Sequence, residues 1–278
     1  MFSEIGAGEV QMVAVAGTQP MGVPRDEGFF LGGAILMALV IVAGFSLQLA
    51  TGRSTFAAPA LVHAHAVVFM GWVALYVLQN VFVTVGAVRW HRRLGWLAVA
   101  WVAAMLVLGV LVTLAMVRRG HAPFFFRPLQ FLIFNPTSLV AFAGLTAAAI
   151  LLRRRTDWHR RLHYCGMAML LGPGFGRLLP MPLLAPWAWE ATLAASLMFP
   201  LAGAVRDVRR SGRVHSAWLW GLAVMVGTAV FVEVVTYGPA GRAIYRHATA
   251  GSPGAAAAPL QFPPPPMGGQ VTGRAEAP

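Results

Sequence analysis

The residues best suited to chemistry are histidines, and most of them stand at the ends of apolar runs. LVHAHAVVFMGWVALYVLQN opens with His63 and His65 and closes on Gln79 and Asn80. DWHRRLH holds His159 and His163 four residues apart, the spacing that puts two imidazoles on one helix face for a metal ion. RWHRRLG and GRVHS add His91 and His215. Imidazoles beside apolar segments suit a transition metal or the iron of a heme b. The same rings amid arginines are also ordinary partners of lipid headgroups, and the repeated HRR could bind lipid phosphate or hold two loops in register.

A second group is ionisable and lies inside the apolar runs: Arg177, Glu190 and Glu233, with Asn135. Charged groups at such positions are costly and usually face the bundle and pair. Arg177 with Glu233 or Glu190 is the expected ion pair, either as a structural lock or as part of a polar pocket for a small-molecule ligand.

The elements that position these groups follow from composition. Of 278 residues, 58% are hydrophobic and 11% charged, against roughly 25% charged in soluble domains. Apolar runs near the ~20 residues of a spanning helix fall at about 29–50, 61–88, 95–117, 129–152, 162–182, 187–205 and 217–238. The fold class expected is an all-α polytopic bundle of about seven spans, in contact with the lipid bilayer. It divides into a short segment 1–28, a membrane domain 29–238 and an Ala/Pro/Gly-rich tail 239–278 expected to be disordered. Residues 1–28 make a poor signal peptide, with four acids and one base ahead of the first run, so that run is expected to remain as an anchor.

All 21 basic residues are arginine, set in short clusters between apolar runs rather than in a separate basic domain. Membrane topology accounts for them better than nucleic acid does. Most fall on one side if the N-terminus is cytoplasmic and the C-terminus periplasmic, in a bacterial inner membrane. On that topology His63, His65, Asn135, Arg177, Glu190 and Glu233 share the outer third of the bilayer, counted at 1.5 Å per residue.

Two details sharpen this expectation. His65, Phe69, Trp72, Tyr76, Gln79 and Val83 form one stripe, and His63 points elsewhere; Gln79 is expected to bond a neighbouring helix. GPGFGR, from Gly172 to Arg177, should kink or break the fifth span and free backbone groups. At the start of that span, Thr156 or Asp157 is the expected N-cap.

LVHAHAVVFMGWVALYVLQNVFVTVGAVRWHRRLGW, WHRRLHYCGM with GFGR, and RDVRRSGRVHSAWLWG together resemble a family of bacterial multi-pass membrane proteins. The resemblance covers roughly residues 30–238. It implies a seven-helix fold and attaches no activity. The histidine pattern is also loosely similar to membrane cytochromes b, whose neighbouring helices ligate heme from both faces. An inner pair such as His91 with His163 matches that pattern. An outer pair does not, because His63 and His65 face no second histidine within the membrane, only His121 and His247 in connecting or terminal segments.

Three readings follow: heme or metal binding with a redox role, a small-solute transporter or ligand sensor using the outer polar site, and a structural accessory subunit. The single cysteine, Cys165, excludes an intramolecular disulfide and a multi-cysteine metal site. The lack of any lysine excludes a Schiff-base photoreceptor. Neither HExxH, nor a nucleophile elbow, nor a phosphate-binding glycine loop is present.

Overall fold

The computed structural model describes residues 25–264. Helices follow one another as α1 (Arg25–Ala50), α2 (Ala60–Thr84), α3 (Val88–Arg118), α4 (Pro128–Leu151), α5 (Thr156–Met169), α6 (Gly172–Leu178), α7 (Met181–Leu184), α8 (Ala188–Ser211), α9 (Ser216–Tyr237) and α10 (Pro239–Thr249). A 3-10 turn at Pro253–Ala256 closes the series, and no strand occurs among the described residues. The protein is an all-α bundle.

Six helices, α1, α2, α3, α4, α8 and α9, are long and apolar enough to cross a membrane. Their apolar side chains point both ways. Met37, Trp72, Met105, Phe142, Phe199 and Trp218 fill the interior, while Leu39, Val67, Val107, Val140, Met198 and Val230 stand exposed on the outside. A helix hydrophobic all round belongs in lipid or in the core of a large protein.

The fifth expected span, 162–182, is not one helix. Pro173 lacks the N–H that would bond the Met169 carbonyl, and its ring would clash there. The chain therefore tightens, with the amides of Leu170 and Leu171 bonding Met167 and Ala168 three residues back, and restarts at Gly172. The restarted helix lies against α1 at backbone distance. A Cβ on Gly174 would sit 3.1 Å from the Ile41 Cα and the Val40 carbonyl, and one on Gly44 would collide with the Gly174 carbonyl. Small residues permit this approach of one backbone to another.

Two connections differ from the loops expected. RWHRRLG is helical from Val88, because arginine and leucine are good helix formers, no proline interrupts them and a single glycine is tolerated; α3 thus reaches ~46 Å, beyond the ~30 Å hydrocarbon core. RDVRRS likewise extends α8 to Ser211. There Gly212 takes φ +71°, and His215 caps α9 by accepting the Ala217 N–H at 3.1 Å.

The tail is ordered further than its composition implies. After Tyr237, α10 buries Tyr245 and Thr249, and the Tyr245 hydroxyl donates to the Gly254 carbonyl at 3.1 Å. The chain then returns to α4, where the Pro259 carbonyl accepts the Leu129 N–H at 2.9 Å. That donor lies in the first turn of α4 and has no partner within its own helix. Arg127 stacks on Phe262. Disorder from 239 is thus corrected for residues up to 264; the rest of the tail, and residues 1–24 of the N-terminal segment, lie outside the described residues.

Candidate functional site

Alternating connections put α5, the N-terminus of α3 and the C-terminus of α8 at one end of the bundle, with α6, α7 and α10 at the other. At the first end α5 presents two contrasting faces.

One face is ion-paired, although Arg160 Nε is buried without a hydrogen-bond partner. Arg161 meets Asp207 of α8 through two parallel bonds, Nε to Oδ2 at 3.1 Å and Nη2 to Oδ1 at 3.0 Å. Both side chains are buried, and the Trp218 indole N–H donates to the same carboxylate at 2.9 Å. Asp26 at the start of α1 gathers Arg160, Arg206 and Arg210. Asp157 is not an N-cap; Arg155 holds that place without a side-chain bond. The Asp157 carboxylate accepts instead from His215 Nε2 at 2.7 Å. Burial alone raises the pKa of Asp157, but the His215 bond and neighbouring backbone N–H groups outweigh it, and the net shift is downward.

The other face carries the histidines. His159 and His163 lie 4.8 Å apart between ring centroids, and His91 of α3 lies 6.2 Å from His159. His159 Nδ1 sits 2.8 Å from the Ala149 carbonyl of α4. A carbonyl only accepts, so Nδ1 carries the proton and Nε2 keeps its lone pair. Burial lowers the pKa of His159, with Arg153 adding repulsion and the Ala149 bond opposing both. His91 Nδ1 and Gln79 Oε1 are buried without a hydrogen-bond partner. The Gln79 side-chain oxygen is thus not used in the expected interhelical bond, although the Gln79 backbone carbonyl accepts from His91 of α3. As the rings stand, no three His, Cys, Asp or Glu side chains among the described residues are disposed to hold a metal ion.

At the opposite end, the six outer residues expected to share one site divide into separate places. Arg177 forms no ion pair with Glu190 or Glu233. The break before Gly172 carries α6 onto α1, so the guanidinium stacks on Phe45, 3.9 Å from its centroid, and donates to the Pro173 carbonyl at 2.8 Å. Its charge reaches His65, which stacks on Phe69 at 4.1 Å. His63 is exposed, with Nε2 3.0 Å from the Phe56 carbonyl.

Glu233 accepts instead from Gln130 Nε2 at 2.7 Å, on a glutamine only 2% exposed. Both Glu190 and Glu233 lie within electrostatic reach of Tyr237, as does Arg127, whose guanidinium sits 5.7 Å from the Tyr237 ring centroid. Asn135 Nδ2 donates to Phe131 on its own helix at 3.2 Å. Gln130, Arg127, Asp207 and Asp26 were absent from the expected set. Asp207 carried one visible signal, a lone acid within RDVRRSGR.

The fold and these sites define a class: an all-α protein with membrane-type helices and a cluster of three histidine rings, His91, His159 and His163, at one bundle end. Compared with family models, curated proteins and solved structures, the chain matches none.

Proposed function

We propose that the protein binds a transition-metal ion through His159, His163 and His91 and serves a redox role in a bacterial inner membrane, its N-terminus cytoplasmic. The observation that carries this reading is the setting of His159. A metal-ligating histidine characteristically donates its other ring N–H to a carbonyl or carboxylate, which fixes the tautomer and aims the free nitrogen. The Ala149 carbonyl does this for His159, and His163 stands beside it on the same helix face.

His91 is the third donor. Its buried Nδ1 has no hydrogen-bond partner, and its ring centroid lies 6.2 Å from that of His159. Three imidazoles suit copper, iron, nickel or zinc, and a redox role selects the first two. His159 and His163 project from one side, as adjacent donors to one ion rather than as opposed ligands of a heme. The outer residues His63, His65, Asn135, Glu190 and Glu233 take no part.

The test is metal analysis and an absorption spectrum of detergent-purified protein, before and after incubation with Cu(II), Fe(II) or hemin. One tightly held metal per chain, lost in His163→Ala and in His159→Ala, is the result expected. A reducible Soret band would replace the ion with heme b held by His91 and His163. Protein that retains neither metal nor heme after incubation overturns the reading.

A further inference from the structure

We infer that the bundle end bearing α5 binds anionic phospholipid headgroups through an exposed surface of Arg92, Arg93, Arg153, Arg154, Arg155 and Arg213. The two HRR sequences separate here. In DWHRRLH both arginines are already bonded to carboxylates, Arg160 to Asp26 and Arg161 to Asp207. In RWHRRLG, Arg92 and Arg93 are exposed, and neither pairs with a carboxylate among the described residues. The same holds for Arg153, Arg154 and Arg155 between α4 and α5, and for Arg213 between α8 and α9.

Contacts around α5 bring these three stretches together. His91, next to Arg92, lies 6.2 Å from His159. His159 in turn bonds the Ala149 carbonyl in the last turn of α4, just ahead of Arg153. On the other side, His215, close behind Arg213, packs on Trp158 at 5.5 Å and bonds Asp157. Arg155 stacks on the same Trp158 at 5.2 Å. The arginines therefore border one helix start from both sides, and Asp157, the acid of that stretch, is already engaged by His215.

The setting selects a lipid over a soluble polyanion. Trp90 is 56% exposed and Leu151 78%, and the contacts of His91 and His159 hold them at about one level of the bundle. An exposed indole beside arginines is the pattern of the headgroup zone. Apolar side chains at that level meet acyl chains, which a soluble polyanion lacks. Arg93 lies over the Trp90 ring at 5.2 Å, and a planar guanidinium matches two phosphate oxygens at once. Lipid binding here requires no metal at the histidines.

The experiment uses the full chain, stripped of lipid in detergent and exposed to phosphatidylglycerol or phosphatidylcholine. Bound lipid is counted by phosphorus analysis and native mass spectrometry. Wild type should prefer phosphatidylglycerol, and the preference should narrow at high salt, because exposed charges are screened. Affinity for phosphatidylglycerol should fall roughly fivefold for each arginine removed. The triple change Arg153→Gln, Arg154→Gln and Arg155→Gln should thus cost on the order of a hundredfold. Arg92→Gln with Arg93→Gln tests the surface independently, from α3. All five side chains are exposed, so thermal stability should stay near wild type. Arg119→Gln with Arg242→Gln, at the opposite end, should bind phosphatidylglycerol like wild type. Equal binding of the two lipids by wild type, or unchanged binding in both sets of arginine variants, would overturn the inference. So would displacement of the lipid by millimolar inorganic phosphate, which would make free phosphate the ligand.

Discussion

The two faces of α5 start from the same local sequence, DWHRRLH, and end in opposite electrostatic conditions. Toward α1, α8 and α9, the arginines and Asp157 find partners: Arg161 with Asp207, Arg160 with Asp26, Asp157 with His215. Toward α2, α3 and α4, the histidines find one backbone carbonyl and each other. The first face is held by ion pairs and acts as a lock. The second has a lone pair on His159 and an unpartnered ring nitrogen on His91, which is a condition suited to binding. Adjacent positions on one helix thus separate into structure and site according to what the facing helices supply.

The largest effect should come from unlocking the first face. Asp207→Ala leaves Arg161 buried and unpaired and removes the acceptor of the Trp218 indole. Breaking a buried pair in this way costs about 3–5 kcal/mol, to be read as an earlier unfolding midpoint in an SDS titration. Replacing Arg161 and Asp207 together by Met and Leu should restore the part of the loss due to the unpaired charge, leaving the smaller cost of a Trp218 indole N–H without its acceptor. If the double variant is as unstable as the single one, the buried pair is not the cause.

Next in size is Gly174→Leu, which drives a side chain into the backbone of α1. A cost of about 1–3 kcal/mol is expected for such overpacking. Gly144→Ala, a helical glycine with open space around it, should by contrast be neutral or slightly stabilising.

Acid should distinguish the two faces more gently. Both Asp157 and His159 have folded pKa values below their ordinary ones. For each, stability is full above the ordinary value and is lost as pH falls toward the depressed one. His159 therefore weakens the fold from about pH 6.5 downward, and Asp157 only from about pH 4 downward. His159→Gln should reduce the first step and leave the second, and His215→Ala should reduce the second. A profile in which His159→Gln changes neither step contradicts the burial of a neutral imidazole. The smallest loss expected is that of Phe262→Ala, which removes an aromatic face from Arg127 and should cost roughly 0.5–1 kcal/mol.

The membrane-type helices were legible because hydropathy is a local property: six of the seven expected runs are helices, four of them within four residues of their predicted ends, while α3 and α8 run on into the arginine-rich connections. The break at Gly172–Pro173 was legible for the same reason. What α6 packs against was not, because a depth estimate supplies one coordinate and the direction around the bundle axis is set by tertiary packing. Arg177, Glu190 and Glu233 accordingly shared a height without sharing a site. The lock on α5 was hidden by distance along the chain: Asp207 is 46 residues from Arg161, and Asp26 is 134 from Arg160. The ordered tail was masked by its proline and alanine content, although Tyr245 and Thr249, four apart, already marked one face of α10.

X-ray absorption at the edge of the bound metal, on protein incubated with Cu(II) or Fe(II), addresses the histidine cluster most directly. Three imidazole nitrogens at about 2.0 Å, falling to two in His91→Ala with the metal still bound more weakly, is the result predicted. A first shell without histidine nitrogens, or one unchanged in His159→Ala and His163→Ala, would contradict the site.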